Sequence, residues 1–203
     1  MSTILALAPH PDDLEIGCGG TLAVHAERGD SVHLFIATYG DVGGEGEKRR
    51  SEQEASAAIL GVSEVHWGGF ADTRLPEQAP QLMARLEEVM HAVQPDRVYA
   101  NYRDDTHQDH RTMAEVANSV TRYVPNVLAY ETPSSIAFEP TVYMDIQSTI
   151  DTKVNALKAH ASQVDRTHLR LDIVEIALAT AHFRGVQARI PVAEGFMPVR
   201  MRL

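Results

Sequence analysis

The 203 residues carry 18 lysines plus arginines against 28 aspartates plus glutamates, a formal net charge of −10, and that sign opposes the counterion release that drives binding to nucleic acid or to an anionic membrane. Hydrophobic residues at 44% and charged residues at 23% exclude a disordered or fibrous chain, and the length suits one large core. One cysteine, Cys18, excludes an internal disulfide and a cysteine-rich zinc module and fits a reducing compartment; histidines and carboxylates remain as metal ligands.

In chain order, Thr3 to Ala8 is an apolar run closed by Pro9-His10-Pro11, the pattern of a buried strand that ends where proline removes a backbone donor. After Gly17-Cys18-Gly19-Gly20, the segment TLAVHAERGD predicts a helix ending near Gly29, and SVHLFIATYG a second strand. Lys48 to Leu60 predicts a helix stopped by Gly61, Glu64 to Trp67 a short strand, Pro80 to Gln94 an amphipathic helix, Arg97 to Tyr102 a buried strand and His110 to Tyr123 another helix. Such alternation predicts a parallel sheet covered by helices, because parallel strands need crossover connections. Beyond Pro125, Val127 to Tyr130 and Thr141 to Ile146 read as strands, and Thr149 to Gln163 and Asp172 to Phe183 as helices. No linker, repeat or low-complexity tract divides the chain, so residues 1–203 are expected to form one domain. The first residues, MSTILALAPH, lack a basic segment followed by an adequate apolar one, and no run approaches the length of a membrane span, so a soluble, cytoplasmic protein is expected.

The densest chemistry is His10-Pro11-Asp12-Asp13-Leu14-Glu15, at the carboxyl end of the first strand, where open parallel sheets place their ligand crevices. A divalent transition metal wants imidazole nitrogen and carboxylate oxygen on a compact loop, and His10 with Asp13 offers both. His107-Gln108-Asp109-His110 also lies between a predicted strand and a helix, so it should open onto the same sheet edge and supply a third ligand. Three protein ligands plus an open position is the pattern of catalytic zinc. An Asp-Asp pair after a strand is more often a helix cap or solvated turn, and a His-x-x-His pair alone is common at helix starts; the argument rests on the two clusters sharing one edge. Spacing alone admits either His107 or His110 as the third ligand. His25, His33, His66, His91, His168 and His182 have no companion ligands in sequence and receive no role. Gly17 to Gly20 lack the third glycine of a dinucleotide fingerprint and fit close packing of a helix; Cys18 reads as a small buried residue.

HPDDLEIGCGGT, Arg49-x-x-Glu52 leading into AAILGV, HQDHR, KVNALKAHASQ and AEGF together resemble the LmbE-like (PIG-L) family of metal-dependent N-acetylglucosamine deacetylases across nearly the whole chain. The resemblance implies a Rossmann-like three-layer α/β sandwich with a mostly parallel sheet, and a Zn²⁺-dependent hydrolase, Fe²⁺ being a second possible ion, that removes acetyl from a small N-acetylated amino sugar. It implies His10, Asp13 and His110 as metal ligands and Asp12 as the general base. His107 is implied as a charged donor that stabilises the oxyanion or protonates the leaving amine, and Asp109 as its hydrogen-bonded support. Arg49 and Asp72 are implied sugar contacts, weighed evenly against surface-helix and turn roles. Gln108 stands where family members often have proline, and DDLE where many read DDE; these departures bear on substrate. Relatives of this size suggest a homo-oligomer, a trimer or hexamer. The rival readings are a hydrolase of another bond, such as a phosphoester, and a non-catalytic sugar-binding protein; Glu15, Glu52, His160 and Glu194 are left without roles.

Overall fold

The computed structural model describes residues 1–164 and 172–202; His168 lies outside them. The elements run β1 (Thr3–Ala8), α1 (Asp13–Glu27), β2 (Ser31–Thr38), α2 (Gly46–Leu60), β3 (Glu64–Phe70), a short 3₁₀ helix (Leu75–Gln78), α3 (Ala79–Val93), β4 (Arg97–Asn101), α4 (Gln108–Val120), β5 (Asn126–Tyr130), β6 (Val142–Asp145), α5 (Ile150–Ala159), α6 (Ile173–Ala188) and β7 (Ala193–Arg200). The strands form one sheet in the order β3-β2-β1-β4-β5-β7-β6, parallel except for β7, which runs antiparallel to both its neighbours. Helices cover both faces, so the central strands are apolar on both. In β1, Ile4, Ala6 and Ala8 face a core shared with Leu14, Leu22 and Leu60, while Leu5 and Leu7 face Leu82, Leu86 and Met113.

The expected α/β alternation is present, with two differences. First, α1 begins at Asp13, so the glycines expected before it lie inside it. The helix kinks at Cys18 (φ −145°). It tolerates glycine because it packs too closely for side chains: a Cβ at Gly17 would enter the ring of Tyr130, and one at Gly20 would lie 2.9 Å from Ile146. Second, β7 was not expected at all; Gly195 and Pro198 in AEGFMPVR give it the composition of a loop.

The sheet order sets the position of the site. From β1 the chain winds outward through β2 to β3, then returns to β4 on the other side of β1, so β1 and β4 flank the point where winding reverses. Loops leaving their carboxyl ends diverge and open a crevice, and these two loops carry His10 to Asp13 and Asp105 to His110.

Candidate active site

The loop after β1 is held in a strained shape. Asp12, at the amino end of α1, has φ 87°, a left-handed conformation that only a few non-glycine residues adopt. Helix α2 holds it there: Gln53 Oε1 accepts the Asp12 N–H at 3.1 Å, and Arg49 Nη2 donates to the Pro11 carbonyl at 2.8 Å and faces Asp12 Oδ2 at 3.3 Å. Gln53 is itself oriented, since its Nε2 donates to Glu15 Oε1 at 2.7 Å, an oxygen that Ser56 Oγ also reaches.

Asp13 opens α1 between two imidazoles. Its Oδ2 accepts the His10 N–H and lies 3.3 Å from His10 Nδ1, and its Oδ1 lies 3.4 Å from His110 Nε2. The far nitrogen of each ring is fixed by other carboxylates. His10 Nε2 is 3.1 Å from Asp72 Oδ1 and 3.3 Å from Asp109 Oδ2, and His110 Nδ1 is 3.1 Å from Asp105 Oδ2. Imidazoles anchored in this way by carboxylates present their other nitrogen to a cation. Nitrogens of His10, His107 and His110 lie within 4.8 Å of one another, as do donor atoms of His10, Asp72 and Asp109. Asp13 between His10 and His110 adds a set of two imidazoles and one carboxylate, and such donors suit a divalent transition ion.

The electrostatics agree. Burial works against charge on His10 and His110, yet the surrounding carboxylates outweigh it and raise both rings above their ordinary pKa. Asp13 is buried too, but the charges of His110 and His10 hold it below its usual range. Burial lifts Asp12 to about 6, against the opposing charge of Arg49. Burial, then His10 and His110, push His107 below its usual value. His10, Asp12 and His107 line a pocket of about 260 Å³ together with Val42, Arg49 and Asp72.

One expected contact differs. The Asp109 carboxylate does not support His107: it accepts the N–H groups of Thr73 (2.8 Å) and Leu75 (3.2 Å) and faces His10. His107 caps α4 instead, its Nδ1 accepting the Asp109 backbone N–H at 3.2 Å, which leaves the proton of the neutral ring on Nε2. Its depressed pKa makes that neutral form, rather than the expected cation, the resident one at neutral pH. Arg49 and Asp72 line the pocket, where Arg49 also bonds Gly40, Pro11 and Asp12, and Asp72 faces His10 and accepts the Val42 N–H.

Sequence reasoning missed Asp105 and Gln53. Asp105 is buried, accepts the His107 N–H (2.8 Å) and Thr132 Oγ1 (3.0 Å), and fixes His110; the His110 bond, against burial, holds its carboxyl well below the usual range. Its signal was an acidic residue five positions before His110, in the loop that follows a strand. Gln53 gave none beyond its place one turn after Arg49.

A profile of the family described as GlcNAc-PI de-N-acetylase, PIG-L, matches residues 5–121. The uncharacterized deacetylase YaiS of Escherichia coli (strain K12) is 36% identical over 167 residues, covering 78% of this chain and 90% of the relative. A diacetylchitobiose deacetylase of Thermococcus kodakarensis is 30% identical over 188 residues, covering 79% of this chain and 69% of its own. Among solved structures, that of GalB, a 4-carboxy-2-hydroxymuconate hydratase of Pseudomonas putida, superposes with a TM-score of 0.88 at 26% identity, covering 100% of this chain and 98% of the other. The profile takes in both loops at the sheet's reversal point and the imidazoles and carboxylates described around them, and on that match the chain belongs to the PIG-L family.

Proposed function

We propose that this protein is a metal-dependent hydrolase that removes the acetyl group from an N-acetylated amino sugar of the N-acetylglucosamine type. The observation that carries the reading is Asp12: a buried carboxylate held in a left-handed turn, with its pKa raised to about 6, beside two imidazoles and a carboxylate arranged as metal donors. His10, Asp13 and His110 would hold the ion, Zn²⁺ or another divalent transition metal such as Fe²⁺, and when bound it supplies Lewis acidity to the amide carbonyl and to water.

The chain's own groups supply proton handling. Ionised Asp12 accepts a proton from the attacking water, and a pKa near 6 lets the same carboxyl return that proton to the departing nitrogen, without which an amide anion would have to leave. Neutral His107 donates from Nε2 to the carbonyl oxygen as negative charge develops there. Arg49 anchors the base through Pro11 and Asp12, and its lining position, with Asp72, sets the pocket wall that a sugar hydroxyl would meet. Asp109 and Asp72 together orient His10.

The reading extends to a cytoplasmic homo-oligomer: Cys18 is buried and free, in keeping with a reducing compartment, and Phe183 and Val186 leave apolar surface on α6 exposed for a second copy. Among the described residues no helix is long and apolar enough to cross a membrane.

A second reading has a specific observation behind it, the likeness to a hydratase at 26% identity, because a metal, a base and a hydrogen-bond donor also serve water addition. One experiment separates the two. Zinc-loaded protein should release primary amine from N-acetylglucosamine or diacetylchitobiose and leave 4-carboxy-2-hydroxymuconate unchanged. Conversion of the latter, with no amine from a panel of N-acetylated sugars, sinks the deacetylase reading.

A further inference from the structure

A second cluster of potential ligands lies away from this pocket. His33 on β2 and Glu64 and His66 on the edge strand β3 face one another across a parallel pair in which His33 is the register partner of Glu64. Side chains two residues apart on a strand share a face, so Glu64 and His66 both meet His33. His33 lies five residues before Thr38, the last residue of β2, and at the rise of a strand that is about 17 Å from the carboxyl edge where the active site opens.

The nitrogen spacing is the informative quantity. His33 Nδ1 and His66 Nε2 are 3.3 Å apart, with the rings nearly parallel at 16°. Two imidazole nitrogens bound tetrahedrally to zinc at the usual bond length stand about 3.3–3.4 Å apart. An outer hydrogen bond favours a lone pair on His33 Nδ1. His33 Nε2 lies 3.0 Å from Ser31 Oγ, whose hydroxyl is directed to Ser63 Oγ at 3.4 Å, so Ser31 accepts from Nε2–H and leaves the Nδ1 lone pair facing His66. His66 Nδ1 lies 3.7 Å from Glu64 Oε1, beyond hydrogen-bond reach, so without an ion His66 Nε2–H donates to His33 Nδ1 at 3.3 Å. Burial pushes His66 below its ordinary pKa and keeps it neutral. A divalent ion would displace that Nε2 proton and take both nitrogens at nearly this spacing. Glu64 Oε2, 3.8 Å from His33 Nδ1, is the nearby counter-charge, and its exposed side chain can swing onto an ion.

We propose that His33, His66 and Glu64 form a second binding site for a divalent transition ion of the zinc type, which clamps the edge strand β3 to β2. Two half-buried imidazoles and an exposed carboxylate on adjacent strands bind such an ion and leave its remaining positions to water. The site takes no part in the reaction proposed above and stands or falls independently of it.

The test uses the full chain and Zn²⁺ alone. Equilibrium dialysis followed by metal analysis should give about two zinc per chain for the wild type and about one for His66→Gln and for His33→Gln. On the ¹⁵N-labelled wild type, the second equivalent of zinc should shift His33 Nδ1 and His66 Nε2, a readout that does not depend on a variant folding. A wild type that binds one equivalent, or two that His66→Gln and His33→Gln both retain while the imidazole signals of His33 and His66 stay in place, overturns the site and leaves a hydrogen-bonded histidine pair.

Discussion

Asp12 is buried, ionised and left-handed, and each property costs stability. Folded, its carboxyl titrates near 6; unfolded, it titrates near the ordinary value of about 3.9. The native state therefore binds this proton more tightly. Above about pH 6 the ionised form lowers stability by its full amount, between the two values the cost fades, and below about pH 4 both states are protonated and nothing is left. Asparagine cannot carry the charge and tolerates the left-handed region well. Asp12→Asn should therefore raise the Tm of chelator-stripped protein at pH 7.5, with the gain vanishing below pH 4, and should still bind metal while losing about 10²- to 10⁴-fold in turnover. Calorimetry across pH, metal analysis and the amine assay measure the three parts. Near-normal turnover would place the base elsewhere.

His107 supplies the complementary residue-scale case. As a neutral donor fixed by the Asp109 backbone N–H, it stabilises charge without giving up a proton. His107→Ala should lower kcat by about 10²- to 10³-fold with metal content intact, and the alkaline limb of kcat/KM should keep its midpoint. Loss of that limb would return the protonating role to His107. This distinction was hidden in the sequence, where the side chain of Asp109 stands two residues from His107 and looks like its natural partner; only the fold shows the carboxylate turned toward Thr73, Leu75 and His10.

At the scale of elements, α2 acts as the brace of the β1 loop. Through Gln53 it accepts the Asp12 N–H, and through Arg49 it ties down the Pro11 carbonyl and fills the space beside Gly40, whose φ of 67° and lack of a side chain admit the guanidinium. Glu15 sets which way Gln53 faces, by accepting from its amide nitrogen. Gln53→Leu is near in size but leaves the Asp12 N–H and a Glu15 oxygen without that partner. The variant should keep metal and KM close to wild type and lose about tenfold or more in kcat, because a base displaced by a fraction of an ångström no longer meets its proton. A fall in metal content equal to the fall in kcat would show that Gln53 supports the ligands instead.

Elements differed in how openly the sequence announced them. The β1-to-β4 alternation was legible because buried parallel strands are short apolar runs between helical patterns. The start of α1 was not, since four residues containing three glycines read as a turn until Tyr130 and Ile146 are seen packed against them. Strand β7 was hidden for the opposite reason: its place between β5 and β6 is earned by long-range pairing that no local propensity encodes. The site divided the same way. His10, Asp12, Asp13, His107 and His110 stood out as two clusters after strands, whereas Asp105 looked like one more acidic residue of a solvated turn.

At the scale of the molecule, the parts of the chain beyond the family profile are tied back to the site through one buried ion pair. The kink at Cys18 interrupts the hydrogen bonding of α1. Glu194, on β7, meets the freed donors: its carboxylate accepts the N–H groups of Gly20 (2.9 Å) and Thr21 (2.7 Å) and the Thr21 hydroxyl. Lys153, on α5, pairs with Glu194 and donates to the Ile16 carbonyl at 2.8 Å on the other side of the kink. The late strand and helix thus complete the helix whose first residue is Asp13. Glu194→Gln keeps the shape but turns one acceptor into a donor facing other donors, and strips the buried Lys153 of its counter-charge. Breaking such a pair from one side costs about 3–5 kcal/mol. Urea denaturation should show a loss of that size, with Lys153→Met/Glu194→Gln recovering part of it, because the stranded ammonium is then gone. Metal affinity should weaken alongside stability in the single variant, since α1 carries Asp13 and its amino half is what the pair secures. A loss of no more than about 1 kcal/mol, in the range of an exposed ion pair, would mean that α1 holds its kink without help from β7.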